Sequence, residues 1–140
     1  MTRVLIVKLD EGAVKPSHSL GEDAGLDLYS REDTTVPARG SVTIDTGVHV
    51  EIPRGMCGIL ISKSGLNTNH NITSTGLVDA GYTGSIRVKL YNHGDIDYFV
   101  KAGDKVSQLL ITQFEETVVV VSDKVNGFSR SDNGFGSSGR

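Results

Sequence analysis

The sequence predicts an all-β domain, built as a sandwich or jelly roll, on three observations. Short runs rich in β-branched residues recur along the chain and are separated by turn residues. In segments 42–45 and 48–52, apolar and polar residues alternate, as in strands with one buried and one solvated face. Segment 65–71 is the only candidate for a helix, and its three asparagines limit that helix to a couple of turns. The predicted strands are 4–7, 42–52, 58–61, 86–90, 96–100, 106–112 and 117–121.

The chain length predicts one folded domain followed by a tail. With 140 residues, the chain can close one hydrophobic core but not two. Between residues 126 and 140 the only large apolar side chains are Phe128 and Phe135. This composition cannot offset the entropy of ordering the backbone. We therefore expect a β domain over residues 1–125 and a mobile tail over 126–140.

Charge and cysteine content exclude several classes of protein. A formal net charge of -3 argues against extended nucleic-acid binding, but it leaves room for a local basic pocket that binds one anionic ligand. The single cysteine, Cys57, excludes an internal disulfide framework and a multi-cysteine zinc site. No segment approaches the ~20 apolar residues that span a bilayer, and the N-terminus lacks a secretory signal. These features predict a cytoplasmic protein without a membrane partner.

Three polar segments suggest a phosphate-bearing ligand, although each also has an ordinary structural explanation. Asp79 lies in a tight turn, where aspartate is usually just a turn former. Segment 62–65 offers a lysine, hydroxyls and a flexible amide, but lacks P-loop spacing. Segment 134–139 reads G-x-G-x-x-G, yet no strand closely precedes it and no helix can follow it, so it is not a dinucleotide fingerprint. Its amides, hydroxyls and aromatic ring suit an oligophosphate joined to a base.

Five polar motifs occur in order from residue 24 to the end of the chain: AGLDLYS (24–30), KSGL (63–66), GLVDAGYTG (76–84), GDKVSQLL (103–110), and Arg130 with GFGSSG (134–139). Taken together, they resemble the five motifs of the trimeric dUTPase family. The resemblance implies a jelly-roll subunit, a threefold homotrimer with sites shared between subunits, and Mg2+ on the substrate triphosphate. It also implies hydrolysis of dUTP to dUMP and pyrophosphate, which limits uracil incorporation into DNA and supplies dUMP.

The same resemblance assigns roles to individual residues. Asp79 would be the catalytic residue, activating the water that attacks the α-phosphorus. Tyr82 would stack beneath the deoxyribose, and the hairpin backbone leading into Gly76 would pair with the uracil edge. Asp27 would act on Mg2+ through water. The remaining substrate-binding residues would be Lys63, Ser64, Gly65 and Gln108 at the phosphates, and Arg130, Phe135, Gly136, Ser137 and Ser138 in a neighbouring subunit's tail.

Lys63 departs from the family pattern, which has arginine at this position. The substitution replaces a planar, bidentate fork by a point charge.

Two other functions remain open from the sequence. The first is a dCTP deaminase, or a bifunctional dCTP deaminase and dUTPase, which would need a glutamate in the hairpin motif. Glu51, Glu115 and Glu116 all lie outside that motif. The scattered histidines also disfavour a zinc-dependent deaminase of the cytidine type. The second is a non-catalytic, nucleotide-gated module that signals through the ordering of its tail.

Overall fold

The computed structural model describes residues 2–129, together with 132 and 134, and this part of the chain is almost entirely β. One short helix follows the sixth strand, where the sequence predicted it. The elements are β1 (Ile6–Leu9), β2 (Leu26–Tyr29), β3 (Thr34–Val36), β4 (Ser41–Asp45), β5 (Val48–Glu51), β6 (Met56–Ile61), α1 (Ser64–His70), β7 (Ile72–Thr73), β8 (Thr75–Val78), β9 (Arg87–Asn92), β10 (Tyr98–Val100) and β11 (Lys105–Gln113). The predicted all-β class is confirmed.

The strands form antiparallel sheets from segments far apart in sequence. The strand orders are β1-β5, β10-β3, β2-β11-β6-β8 and β4-β9-β7. Thus β2 pairs with β11, and β6 lies between β11 and β8. These crossings between sheets are those of a jelly roll, in which inward faces enclose one core.

Alternating side chains on the strands build this core. Along β9, Val88 and Leu90 are fully buried while Arg87 and Lys89 face outward. Burying an aliphatic side chain of this size contributes about 1.5–3 kcal/mol, so the core holds the strand ends and their connecting turns in place. The largest fully buried apolar side chains are Leu28, Val36, Ile44, Val48, Ile72, Ile86, Val88, Leu90, Val100, Val106 and Leu109.

Helix α1 begins directly after β6 and ends within two turns. Lys63 is the residue before the helix, has extended backbone angles, and makes no side-chain capping bond. Asn71 ends the helix in a left-handed conformation at φ 58°, and its N–H donates to the carbonyl of Leu66. Asparagine tolerates this conformation better than most residues. The Lys63 side chain is therefore available for a partner outside the helix.

Beyond β11 the chain leaves the compact body. Residues 118–121 are valines with exposed fractions of 81–94%. The strand predicted at 117–121 was wrong for the single chain, because no other described strand lies beside it to complete its hydrogen bonds. No helix within residues 2–129 is long and apolar enough to cross a membrane.

Candidate active site

A buried carboxylate, Asp27, is the centre of a polar cluster on the largest sheet. Its residue exposure is only 1%. Lys63 Nζ lies 2.5 Å from Oδ1, Lys105 Nζ lies 3.2 Å from Oδ2, and the Ser19 hydroxyl donates to Oδ2. A buried charge is costly unless it is paired and hydrogen-bonded, and Asp27 meets both conditions.

The sheet register explains why these residues meet. Asp27 on β2 lies opposite Gln108 on β11, and Gln108 in turn lies opposite Ile61 on β6. Lys63 follows β6 by two residues. Three of the sequence motifs are therefore adjacent because three neighbouring strands carry them.

The two lysines hold Asp27 in its ionised state. Burial by itself raises the pKa of Asp27, but hydrogen bonds from Lys63, Ser19 and Lys105 together outweigh it. The pKa of Asp27 therefore lies below the 3.8 of a free aspartate. The result is a site with two ammonium groups and one buried carboxylate.

Gln108 lies between the backbone at Ser62, next to the second motif, and the backbone at Gly25, in the first motif. Its Nε2 donates to the Ser62 carbonyl at 3.0 Å. A Cβ at Gly25 would come within 2.2 Å of Gln108 Oε1, so any side chain there would displace the amide. Gly25 was not predicted as a site residue, although it stands in the first motif.

A chain of serine hydroxyls fixes the segment that carries Lys63 and Ser64. Ser62 Oγ donates to the Ser74 carbonyl at 3.0 Å and accepts from the Ser74 N–H at 2.9 Å. The Ser74 and Ser107 hydroxyls lie 2.8 Å apart, and both residues are buried. Ser64 and Gly65, at the start of α1, are exposed. Ser19, Ser62, Ser74, Ser107 and Lys105 were not predicted as site residues, because only the strand register brings them to Asp27 and Gln108.

Asp79 and Tyr82 occupy a separate turn at the end of β8. Asp79 is exposed, its carbonyl accepts from the Tyr82 N–H at 3.1 Å, and Gly81 has a φ of 91° that favours glycine. The Tyr82 hydroxyl donates to the Ser85 carbonyl at 2.8 Å. A Cβ at Gly84 would come within 2.5 Å of that hydroxyl, so the tyrosine lies directly over glycine. The Tyr82 ring is thus held in place while 45% of the residue remains exposed.

Within one chain, this turn lies far from the Asp27 cluster. On β6, Ile61 lies opposite Thr75, whereas Gly58 lies opposite Val78. At roughly 3.4 Å per residue, these two levels are about 10 Å apart. Lys63 lies beyond the Ile61–Thr75 pair at one end of β6. Asp79 lies beyond the Gly58–Val78 pair, toward the opposite end. The predicted catalytic and phosphate-binding residues therefore form two groups in the single chain.

The other predicted site residues are placed as follows. Gly76 lies on β8 between the two groups, opposite Leu60. A Cβ at Gly76 would come within 3.1 Å of the Leu60 side chain. The five predicted tail residues, Arg130, Phe135, Gly136, Ser137 and Ser138, lie outside the described residues.

Comparison with known proteins identifies the family of the chain. The dUTPase family model matches residues 12–139. A deoxyuridine 5'-triphosphate nucleotidohydrolase of Arabidopsis thaliana is 40% identical over 135 residues, covering 96% of this chain and 81% of that protein. The solved structure of Staphylococcus bacteriophage 80alpha dUTPase with dUpNHpp has a TM-score of 0.88 at 27% identity, covering 99% of this chain and 100% of that one. A mutant dUTPase from phage phi11 of S. aureus, whose structure concerns a structural Mg(II) ion, has a TM-score of 0.80 at 26% identity, covering 87% and 98%.

The fold and the site, with these comparisons, define a jelly-roll hydrolase of nucleotides. Because the family model covers almost the whole chain, the chain belongs to the dUTPase family. The resemblance seen in the five sequence motifs is confirmed.

Proposed function

We propose that Asp79 activates the water that attacks the α-phosphorus when this protein hydrolyses dUTP to dUMP and pyrophosphate. Family membership establishes the activity, so the chain is a dUTP diphosphatase. The observation that favours Asp79 is its position on the turn. It is an exposed carboxylate that accepts no hydrogen bond from any described residue, beside the held ring of Tyr82. A carboxylate in this state can accept a proton from a bound water.

The Asp27 cluster supplies positive charge for the triphosphate. Lys63 is partly exposed, Lys105 is more so, and both ammonium groups have further donors beyond those used on Asp27. Ser64, Gly65 and Gln108 continue this surface and would position the phosphates. Fixed donors of this kind stabilise the charge that develops in the transition state.

Mg2+ would reach this site bound to the substrate triphosphate, with Asp27 acting through a metal-bound water. Residues 2–129 contain no group of three or more histidine, cysteine or acidic side chains that could form a metal cage. A carboxylate has about four acceptor positions, and Lys63, Lys105 and Ser19 use three of those on Asp27. One position remains on Oδ1, enough for a single metal-bound water. Mg2+ bound to the triphosphate would supply positive charge that neutralises the phosphate oxygens.

Tyr82 and Gly76 would determine which nucleotide is accepted. The Tyr82 ring is fixed by its hydroxyl and by Gly84, so it presents a flat, partly exposed face to the sugar. Such a ring leaves no space for a 2′-hydroxyl. The β8 backbone at Gly76 would pair with the uracil edge, where a thymine methyl would clash.

The separation of the two groups supports a homotrimer. Asp79 and Lys63 of one chain lie toward opposite ends of β6, so one chain does not bring the catalytic and phosphate-binding residues together. Neighbouring copies would complete each site. Closed cyclic symmetry provides the same contact at every interface.

Two apolar surfaces also favour association. The exposed valines at 118–121 have no partner among the described residues. A groove of about 900 Å³ runs between the N-terminal segment and β11, lined mainly by apolar side chains such as Val7, Leu26, Met56 and Ile111. No predicted site residue lines it. These surfaces suit contacts between copies rather than nucleotide binding.

The tail would complete each site from a neighbouring copy. In this proposal, residues 1–125 form the domain, with the exposed valines at 118–121 packed against a neighbouring copy, and residues 126–140 close over the bound nucleotide. Arg130, Ser137 and Ser138 would contact the γ-phosphate, Gly136 would offer its amide, and Phe135 would stack on the base. Exclusion of water by such a lid strengthens each electrostatic contact.

A substrate panel tests the proposed activity. The purified protein is incubated with dUTP, dTTP, dCTP or UTP and Mg2+, while pyrophosphate and ammonia are measured separately. We expect pyrophosphate from dUTP, little from the other three nucleotides, and no ammonia from dCTP. Ammonia release would instead support the deaminase. Binding of dUTP without pyrophosphate would support a signalling module.

A further inference from the structure

Both ring nitrogens of His49 face hydrogen-bond acceptors. Nδ1 lies 2.7 Å from the Thr83 carbonyl, and Nε2 lies 2.9 Å from Asp10 Oδ2. A carbonyl and an ionised carboxylate can only accept, whereas a neutral imidazole carries a single N–H. Only the doubly protonated ring satisfies both contacts. The geometry therefore selects the charged form of His49.

His49 connects the β1-β5 strand pair to the turn that carries Asp79 and Tyr82. It lies on β5, opposite Lys8 of β1. Asp10 follows β1, and its N–H donates to the Gly47 carbonyl at 2.8 Å. Both ends of the Asp10 contact are thereby anchored to the β1-β5 pair. Through His49, this strand pair contacts the Thr83 backbone.

The contact falls between two other anchors of the turn. On one side, the Tyr82 hydroxyl donates to the Ser85 carbonyl. On the other, the Ser85 hydroxyl donates to Asp45, which also pairs with Arg31 at 3.5 Å. In the described residues, His49 is the titratable group that contacts the Thr83 backbone. On deprotonation, the ionised Asp10 is the stronger acceptor and keeps the remaining N–H on Nε2, so Nδ1 loses its proton and the Thr83 carbonyl loses its donor. This loosens the residue next to Tyr82.

The groups around His49 have opposing effects on its pKa. The hydrogen bond to Thr83 and the contact with Asp10 raise the pKa of His49 above 6.5, while partial burial and Lys8 oppose them. The contact with His49 lowers the pKa of Asp10, as do the nearby charges of Lys8 and Arg31. For a base whose pKa is raised by folding, the protonated form contributes its full stabilisation of the fold below the unfolded pKa, which is 6.5 for histidine. This stabilisation is lost as pH rises through the folded pKa.

We propose that protonated His49 is a positioning residue, which holds the Asp79–Gly84 turn through the Thr83 carbonyl and loosens it as the ring deprotonates. It does not touch substrate. The inference rests on the assignment of this turn to the active site. According to this inference, the geometry of Asp79 and Tyr82 depends on His49, a charged group that lies outside the five motifs.

The first test measures titration of the histidine rings by NMR in the substrate-free protein. His49→Gln identifies the signal among the four histidines. We expect its midpoint above 6.5 in the wild type and a lower midpoint in Asp10→Asn. Glu51→Gln is the matched control, because it removes an exposed carboxylate from the same strand without touching the turn. A wild-type midpoint at or below 6.5, or equal midpoints in Asp10→Asn and wild type, would overturn the proposal.

The second test measures kcat/KM for dUTP against pH. We expect the wild-type value to fall about 3- to 10-fold as His49 deprotonates, less than the ~100-fold that a 1 Å misplacement can cause. This step should move to lower pH in Asp10→Asn, remain in Glu51→Gln, and disappear in His49→Gln. An unchanged step in His49→Gln contradicts the positioning role.

Folding and the proposed function are tested separately. If His49→Gln does not fold, Asp10→Asn carries the test, because Asp10 is a partly exposed side chain at the end of β1. The NMR midpoints report the contact whether or not the turn is catalytic. Full turnover in Asp79→Asn would remove the turn from the reaction, while the His49 titration would stand.

Discussion

Lys63 Nζ lies 2.5 Å from Asp27 Oδ1, although the two residues are 36 positions apart in the sequence. The contact joins the first and second motifs through adjacent strands. It also shows what the side chain of Lys63 in the second motif does. A single ammonium group pairs with one carboxylate oxygen, and the other oxygen is left to Lys105 and Ser19.

The first prediction concerns this pair. Lys63→Met removes one charge-assisted hydrogen bond to a buried carboxylate, so we expect the free energy of unfolding to fall by about 1.5–3 kcal/mol. Activity on dUTP should fall as well. Lys63→Arg retains the charge and should preserve most of both. Denaturant unfolding and kcat/KM are the measurements, with Lys101→Met as an exposed lysine control. Equal stability of Lys63→Met and wild type would show that the pair contributes nothing.

Asp79 provides the second prediction. Asp79→Asn preserves shape but removes the negative charge, so we expect turnover of dUTP to fall at least ~100-fold. Nucleotide binding and the folded state should change little, because the side chain is exposed and lacks hydrogen-bond donors among the described residues. Single-turnover kinetics and dUTP-analogue binding measure the two effects. Near wild-type turnover would remove Asp79 from its assigned role.

The third prediction concerns sugar selection by Tyr82. Tyr82→Ala removes the ring that fills the space of a 2′-hydroxyl, so UTP should become a better substrate relative to dUTP. Tyr82→Phe is the control, because it keeps the ring and loses only the bond to Ser85. The ratio of kcat/KM for dUTP and UTP is measured in all three proteins. Equal values of kcat/KM for dUTP and UTP in the wild type would refute the assignment of sugar selection to Tyr82.

Subunit sharing gives the fourth prediction. Asp79→Asn and Lys63→Met are each expected to have low activity, but they damage groups at opposite ends of β6. After the two variants are mixed and their subunits exchanged, about one site in four would combine an intact Asp79 with an intact Lys63 from different copies. We expect activity to rise on mixing, and light scattering to give a trimer mass. A mixture with no more activity than its components would place both groups in one subunit's site.

The tail provides the fifth prediction. Deletion from residue 130 onward should preserve the trimer and the affinity for dUMP, while strongly reducing dUTP hydrolysis. Charge-assisted hydrogen bonds to a triphosphate contribute about 1.5–3 kcal/mol each, which offsets part of the ~1–2 kcal/mol per residue lost on ordering the backbone. The product dUMP lacks the β- and γ-phosphates and should leave the tail mobile. Wild-type hydrolysis by the truncated protein would exclude a lid.

Local sequence pattern was sufficient for the fold class and for most strands. Alternation predicted β4 and β5, because a strand with one buried face repeats every two residues, and a run rich in β-branched residues predicted β9. The strands β2, β3, β7 and β8 were not predicted. They are only two to four residues long, and their hydrogen bonds come from distant partners such as β11 and β6. The valines at 118–121 show the opposite case, since they have strand-like composition without a partner in the same chain.

The order of the five motifs by itself determined the family and named Asp27, Lys63, Gln108, Asp79 and Tyr82, because short motifs carry their chemistry in local residue types. Tertiary structure decided how these residues are grouped. The register of the paired strands places Lys63 and Gln108 beside Asp27, and the same register places Asp79 toward the other end of β6. It also brought Asp10 and Thr83 to the two nitrogens of His49. Pairing between distant strands depends on burial of whole sheet faces, which local sequence pattern does not specify.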